Sequence, residues 1–257
     1  MTRSEMVVAA HRGLLIGPSP LLRHTPAGRQ LEADGVVMRY WGPVGPDLNK
    51  AAVVSPSPPL ARVVEVADAF FGPDSGGYGI VVEGDAGHPV EAELRAAGWR
   101  VFEDEAAMVL PVIPDPAPLP IGLVIERVRD AAGRRDLIRV LAAGFGAPTA
   151  ERMPDLSPDA FDAFAPTVAA ACAPDICLLV GYLDGHPAAS AYVYTIGSVA
   201  GLTGVATVPA YRRRGLSTAL TRAAVAEAAA RGCSCAVLAA LNPAPFETGS
   251  FRSGLSE

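Results

Sequence analysis

Five prolines stand within ten residues at Pro111–Pro120, "PVIPDPAPLP". Proline fixes φ and has no N–H to donate, so neither a helix nor a central strand can run through this stretch. It favours a stiff, extended connector. Any fold for this chain must therefore be assembled from what lies on either side. Each side is long enough for a small core of its own: the chain has 257 residues, half of them hydrophobic.

Before the connector the pattern alternates between strand and helix, after a poorly patterned opening to about Ala33. "GVVMRYWG" and "KAAVVSP" read as strands. "PPLARVVEVADAFFG" carries apolar residues at helical spacing and ends at Gly72, a good helix stop. "YGIVVEG" is a strand, and "PVEAELRAAGWRVFEDEAAMVLPV" a helix, a Gly-Trp turn and strand. This half has no phosphate loop. After the connector come a strand ("GLVIERV"), a helix ("DAAGRRDLIRVLAAGFG") and a second helix in "SPDAFDAFAPTVAAAC", with Ser157 as N-cap. A three-stranded meander follows, whose first turn is the hairpin dipeptide Asp184-Gly185. A helix from about Ser217 to Arg231 and the strand "CSCAVLAAL" close the series.

The most informative junction is "TVPAYRRRGLSTAL", Thr207–Leu220, between the last strand of the meander and that helix. A helix N-terminus presents unpaired N–H groups and a partial positive charge, which together hold anions. Gly215 frees the backbone to turn and lets a phosphate approach. Ser217 is small, Thr218 offers a hydroxyl, and the arginines add charge-assisted bonds. Charge distribution agrees. Residues 1–120 carry 9 basic and 15 acidic side chains, whereas 121–257 carry 12 of each, so the arginines sit where no acidic excess repels an anion. There is no GxxxxGKS and no GxGxxG after a first strand, which excludes a P-loop enzyme and a Rossmann dehydrogenase.

"VATVPAYRRRGLSTAL" resembles motif A of the Gcn5-related N-acetyltransferase (GNAT) superfamily, Arg/Gln-x-x-Gly-x-Gly/Ala after a strand ending Val-x-Pro. Arg212, Gly215 and Ser217 take the patterned positions, with Ser217 a small departure. The resemblance implies an α/β fold with a mixed, mainly antiparallel central sheet flanked by helices. It implies that Ala206, Thr207 and Val208 bond the pantetheine arm of acetyl-CoA. The amides of Arg213, Arg214, Gly215, Leu216, Ser217 and Thr218 would hold its pyrophosphate. "ELRAAGWRVFEDEAAMVL" is similar to the family's closing helix, Gly-aromatic pair and strand. This suggests a tandem member: a degenerate GNAT-like domain at 1–110, a linker at 111–121, and an acetyl-CoA-binding domain at 122–257. The function implied is acetyl transfer to an amine of a small molecule or protein. The alternative is a non-catalytic acyl-CoA-binding or interaction protein.

The catalytic residues stay unassigned. The strand Val199–Val208 has no acid or histidine where many members keep a general base. Phe251 takes the place of the family's proton-donating tyrosine, and the family's last two strands are expected to be missing after "SFRSGLSE". Tyr182, Tyr192, Tyr194, Asn242 and Glu247 are the remaining candidates, and His186 is expected to be solvated. The four cysteines fit no zinc pattern and read as buried thiols, with Cys233 and Cys235 facing the same way. No metal is expected. A net charge of −6 argues against a nucleic-acid partner. No apolar run approaches the roughly 18 residues of a membrane span, so the expectation is a soluble, cytoplasmic protein with room for a homo-oligomer.

Overall fold

The structure, a computed structural model, describes residues 2–10, 13–14, 19–43, 45–46, 48–54, 58–84, 89–110, 118–149, 165–241 and 250–255. The first half opens with two short helices, α1 (Arg3–Ala10) and α2 (Ser19–Leu22), then a hairpin of β1 (Arg29–Ala33) and β2 (Val36–Tyr40). Asp34 (φ 50°) and Gly35 (φ 75°) make its turn, both in the left-handed region that a two-residue hairpin needs. β3 (Lys50–Val53), α3 (Leu60–Phe71), β4 (Gly79–Gly84), α4 (Pro89–Ala96) and β5 (Arg100–Leu110) complete this half.

The second half runs β6 (Leu123–Arg127), α5 (Ala131–Thr149), α6 (Val168–Ala171), β7 (Ile176–Leu183), β8 (His186–Ile196), β9 (Val199–Thr207), α7 (Leu216–Ala230), β10 (Cys235–Leu241) and β11 (Ser250–Leu255). Thr167 caps α6 by accepting from the Ala170 N–H at 3.2 Å. Ser157, expected as an N-cap, lies outside the described residues. Asp184 (φ 49°) and Gly185 (φ 80°) turn the β7–β8 hairpin as Asp34 and Gly35 turn the first.

All strands join one sheet, in the order β1-β2-β3-β4-β11-β5-β10-β9-β8-β7-β6. Only β3–β4 and β9–β10 are parallel; the other described pairs are antiparallel. The order reads nearly the same from both ends. In each half a hairpin is followed by a strand, a helix and a parallel strand, namely β3-α3-β4 and β9-α7-β10. The halves then exchange their closing strands. β5 of the first half pairs with β10, and β11 of the second lies between β4 and β5. The edge of β10 that the sequence leaves open is thus occupied by Glu105–Leu110. Residues 250–255 form a strand in the middle of the sheet, not part of a helix, so the helix position carried onto Phe251 does not hold.

Helices cover both faces of the second half. α7 buries Leu216, Leu220, Ala224 and Val225 against β7–β9 on one face, with Cys177 and Cys233. α5 and α6 pack Leu137, Val140 and Ala170 against Leu178, Val180, Tyr192 and Tyr194 on the other. Burying each leucine or valine among them contributes about 1.5–3 kcal/mol. This double cover explains why β8 is buried at Ala188–Tyr194 without polar alternation. In the first half, α3 and α4 cover Val36, Met38, Ala51 and Ile80, while Val37 and Ala52 face α1.

Candidate functional site

β9 and β10 run side by side only at Val199–Gly201 and Cys235–Val237. Beyond that, β9 stays with β8 as far as the Thr207–Ala189 pair, and β10 stays with β5 as far as Leu241–Glu105. The two parallel strands therefore part, and a gap opens toward their carboxyl ends. A bulge lies on β9 at the gap: Ser190 pairs with Ala206 and Tyr192 with Thr203, so Gly204 and Val205 stand opposite one residue of β8. Gly204 has φ +60°, and a Cβ there would press on the Tyr192 ring at 2.9 Å. The buried Ser190 hydroxyl donates to the Gly204 carbonyl at 2.8 Å and pins the bulge.

Backbone direction at the end of β9 follows from one bond. The Val208 N–H donates to Ala188 O at 2.9 Å, and its carbonyl accepts from the Tyr211 N–H at 2.9 Å. Alternation turns Ala206 toward β8 as well and leaves Thr207 facing the gap. Of the three strand residues expected to serve a pantetheine arm, Thr207 is presented. Val208 has its N–H committed elsewhere.

The chain then makes a short 3-10 turn (Pro209–Tyr211) and enters α7 through Arg213 (φ +65°) and Gly215 (φ +77°). The left-handed conformation costs a non-glycine residue such as Arg213 roughly 1–2 kcal/mol. What it achieves is a concave backbone. None of the six N–H groups from Arg213 to Thr218 meets a hydrogen-bond acceptor among the described residues. Successive free N–H groups in such a turn, at a helix N-terminus, form an anion-binding nest. Arg213, Arg214 and Gly215 are exposed and Leu216 is buried, so the turn is anchored from beneath and open above. Ser217 Oγ and Thr207 Oγ1 lie 3.3 Å apart and tie the helix start to the strand end.

The three arginines have different tasks. Arg212 reaches back: its Nε donates to Thr207 O at 3.2 Å and its Nη2 to Gly144 O at 3.0 Å. It latches β9 to α5. Gly144 permits the close approach, since a Cβ there would sit 2.8 Å from Ala206 Cβ. Arg214 lies 5.8 Å over the Tyr211 ring. Arg213 and Arg214 make no ion pair among the described residues, which leaves them to meet an anion. The sequence pattern did not show the Arg212 latch.

The candidate catalytic side chains scatter. Tyr194 donates to Gly13 O at 2.7 Å, deep in the core. Tyr182 donates to Asp136 Oδ2 at 3.1 Å; burial, that bond and nearby carboxylates push its pKa up to about 12. Tyr192 is buried, burial pushes its pKa up, and its hydroxyl has no hydrogen-bond partner among the described residues. His186 is exposed; Asn242 and Glu247 lie outside the described residues. Cys177, Cys233 and Cys235 are buried free thiols whose pKa burial raises, while Cys172 is exposed. Cys233 and Cys235 pack into different clusters, not a common one, because β10 begins only at Cys235. Among the described residues no group of three or more His, Cys, Asp or Glu is placed to hold a metal, and no helix is long and apolar enough to cross a membrane.

The corresponding junction of the first half is closed. Pro58 and Pro59 precede α3 and supply no N–H, and the Leu60 N–H donates to Glu93 Oε2 at 3.0 Å. A carboxylate of the chain itself occupies that helix N-terminus.

Residues 145–244 match the model of the acetyltransferase (GNAT) family. Solved structures share the fold across nearly the whole chain. A GCN5-related N-acetyltransferase from Kribbella flavida is 18% identical with a TM-score of 0.62, covering 97% of this chain and 94% of its own. A GCN5-related N-acetyltransferase from Sphaerobacter thermophilus is 13% identical with a TM-score of 0.54, covering 87% and 81%. A tandem GNAT protein from the clavulanic acid biosynthesis pathway is 14% identical with a TM-score of 0.55, covering 98% and 95%. No curated protein matches the sequence.

Proposed function

Because residues 145–244 match the GNAT acetyltransferase family model and the chain shares its fold with solved GNAT structures, we propose that it is an acetyl-CoA-dependent N-acetyltransferase of the tandem kind. It has one cofactor site, in the second half. The observation that carries this reading is the run of six unpaired N–H groups, Arg213–Thr218, at the mouth of the gap between β9 and β10. In this reading those amides hold the pyrophosphate, and Arg213 and Arg214 neutralise it. The pantetheine arm lies along the open edge of β9 at Thr207, with Ala206 beside it. Arg212 keeps strand and turn in register.

The reaction is direct transfer. The amine nitrogen forms a bond to the acetyl carbon, the C–S bond breaks, the nitrogen loses a proton and the sulfur gains one. Tyr192 is the described side chain best suited to give that proton. It stands opposite Thr203, its ring packs on the Gly204 bulge, its hydroxyl has no hydrogen-bond partner among the described residues, and burial keeps it protonated. We retain the division into a GNAT-like region at 1–110, a linker at 111–121 and a cofactor-binding region at 122–257. The exchange of β5 and β11 makes the two regions one folding unit.

One observation favours a second reading, a non-catalytic acyl-CoA binder: β9 carries no acid or histidine. Assay of free thiol released from acetyl-CoA with a panel of small amines and peptides separates the two. Turnover that is lost in Gly215→Glu supports the enzyme. Saturable binding without thiol release supports the binder.

A further inference from the structure

The sheet order begins at β1, so one long side of Arg29–Ala33 faces no strand. The chain on either side of it, residues 19–43, is described throughout. Which backbone groups lie on the open side follows from the hairpin. Asp34 and Gly35 form a two-residue turn, so Ala33 and Val36 exchange both hydrogen bonds. By alternation the pairs Leu31–Met38 and Arg29–Tyr40 do the same. The N–H and C=O groups of Gln30 and Glu32 therefore point away from the sheet. None of them has a hydrogen-bond partner among the described residues.

Little on β1 blunts this edge. It has no proline, no lysine and no bulge, and Leu31 at its centre is 49% exposed. Arg29 is turned back onto the sheet, its guanidinium over the Tyr40 and Phe70 rings at 4.4 and 5.1 Å.

The strand is complementary to itself. In an antiparallel pair with a two-fold axis at Leu31, Gln30 of each copy meets Glu32 of the other. Every free backbone group of Gln30 and Glu32 in both copies is then used. Leu31 meets Leu31 at the closest spacing of the ladder, about 4.5 Å between Cα atoms. Arg29 meets Ala33, so no like charges stand directly opposite. The neighbouring registers are worse. One sets Glu32 against Glu32, which is unfavourable. The other sets Glu32 opposite Gly28, beyond the end of the strand.

We propose that β1 is an interface between two copies of this chain, joining their sheets edge to edge. The contact is small, so the dimer is reversible and depends on concentration. β1 lies seven places from β9 in the sheet order, and the pairing does not involve the arginine–glycine turn.

The test is sedimentation equilibrium of the full chain, with disulfide trapping to read the register. Wild type and Gly215→Glu should dimerise alike, and Leu31→Lys, a change at an exposed position, should stay monomeric. Trapping uses a Cys172→Ser background, which removes the exposed native thiol. There Leu31→Cys sets two thiols across the axis within disulfide range, whereas Glu32→Cys faces Gln30. Under mild oxidation Leu31→Cys should cross-link at least about tenfold faster than Glu32→Cys. Wild type that stays monomeric up to about 1 mM would overturn the proposal. So would species larger than a dimer, a dimer that survives Leu31→Lys, or equal cross-linking of the two cysteine variants.

Discussion

The backbone N–H of Leu60 donates to Glu93 Oε2 across 3.0 Å, at the N-terminus of α3, which joins two parallel paired strands as α7 does. The chain thus fills with its own carboxylate the position where the second half leaves six amides free. Two prolines before Leu60 remove further donors. Glu93→Ala should therefore not create a second cofactor site. It should lower stability by about 1 kcal/mol, the usual value of a lost N-cap. Thermal unfolding gives the second quantity and binding stoichiometry the first; two acetyl-CoA per chain in the variant would refute the plugged-site account.

Arg212 spans Thr207 O and Gly144 O, and no shorter or unforked side chain makes both bonds. Arg212→Ala should raise KM for acetyl-CoA about tenfold, the equivalent of one or two charge-assisted bonds lost from the support of the turn. Arg212→Lys should rescue only part of this. An unchanged KM in the alanine variant would show that the turn holds its shape without the latch.

Tyr192→Phe removes one buried oxygen that has no partner among the described residues, so folding should not suffer. If its phenol supplies the leaving thiolate with a proton, kcat should fall at least about tenfold with KM for acetyl-CoA little changed. A full-speed Tyr192→Phe enzyme would remove this residue from the mechanism.

Alkaline titration offers a separate check. Tyr182, Tyr192 and Tyr194 all have pKa values raised by burial, Tyr182 to about 12. A raised folded-state pKa means that the folded chain holds these protons more tightly than the unfolded chain. The associated stability is complete below about pH 10 and is lost as pH climbs from there through the folded value. Phenolate absorbance at 295 nm should then rise together with unfolding. Early phenolate formation by all six tyrosines of a still-folded chain would contradict the packing described.

Asn49 is fully buried and organises the first half. It accepts from the Trp41 N–H at 2.9 Å and donates to Gly42 O and Ser75 O, each at 3.0 Å. Asn49→Leu leaves these backbone groups buried and unpaired, and should cost about 3 kcal/mol or more. Denaturant melts measure it; a loss under about 1 kcal/mol would mean that water replaces the amide.

Local elements were legible where one dipeptide or one period decides them. Asp184-Gly185, Gly72 and the helical spacing of Leu60–Phe71 each correspond to an observed turn, cap and helix. β1 was not apparent, because its residues lie at an exposed sheet edge and lack alternation. Asp34-Gly35, the same dipeptide as in the second half, was the available signal. The exchange of β5 and β11 could not be read from pattern, since which strand lies beside β10 is settled by pairing across more than a hundred residues. At the site, Gly215 announced the turn. The left-handed Arg213 and the inward Arg212 follow from backbone geometry that no residue type encodes.

Titration calorimetry of acetyl-CoA into the intact chain, beside Gly215→Glu, tests the central claim most directly. The account predicts one saturable site per chain in wild type. In the variant binding should be abolished, because a side chain is forced into a left-handed backbone and a carboxylate is set among the free amides of Arg213–Thr218. Wild-type protein that is folded yet does not bind acetyl-CoA, or a Gly215→Glu variant that binds it as tightly, would contradict the account.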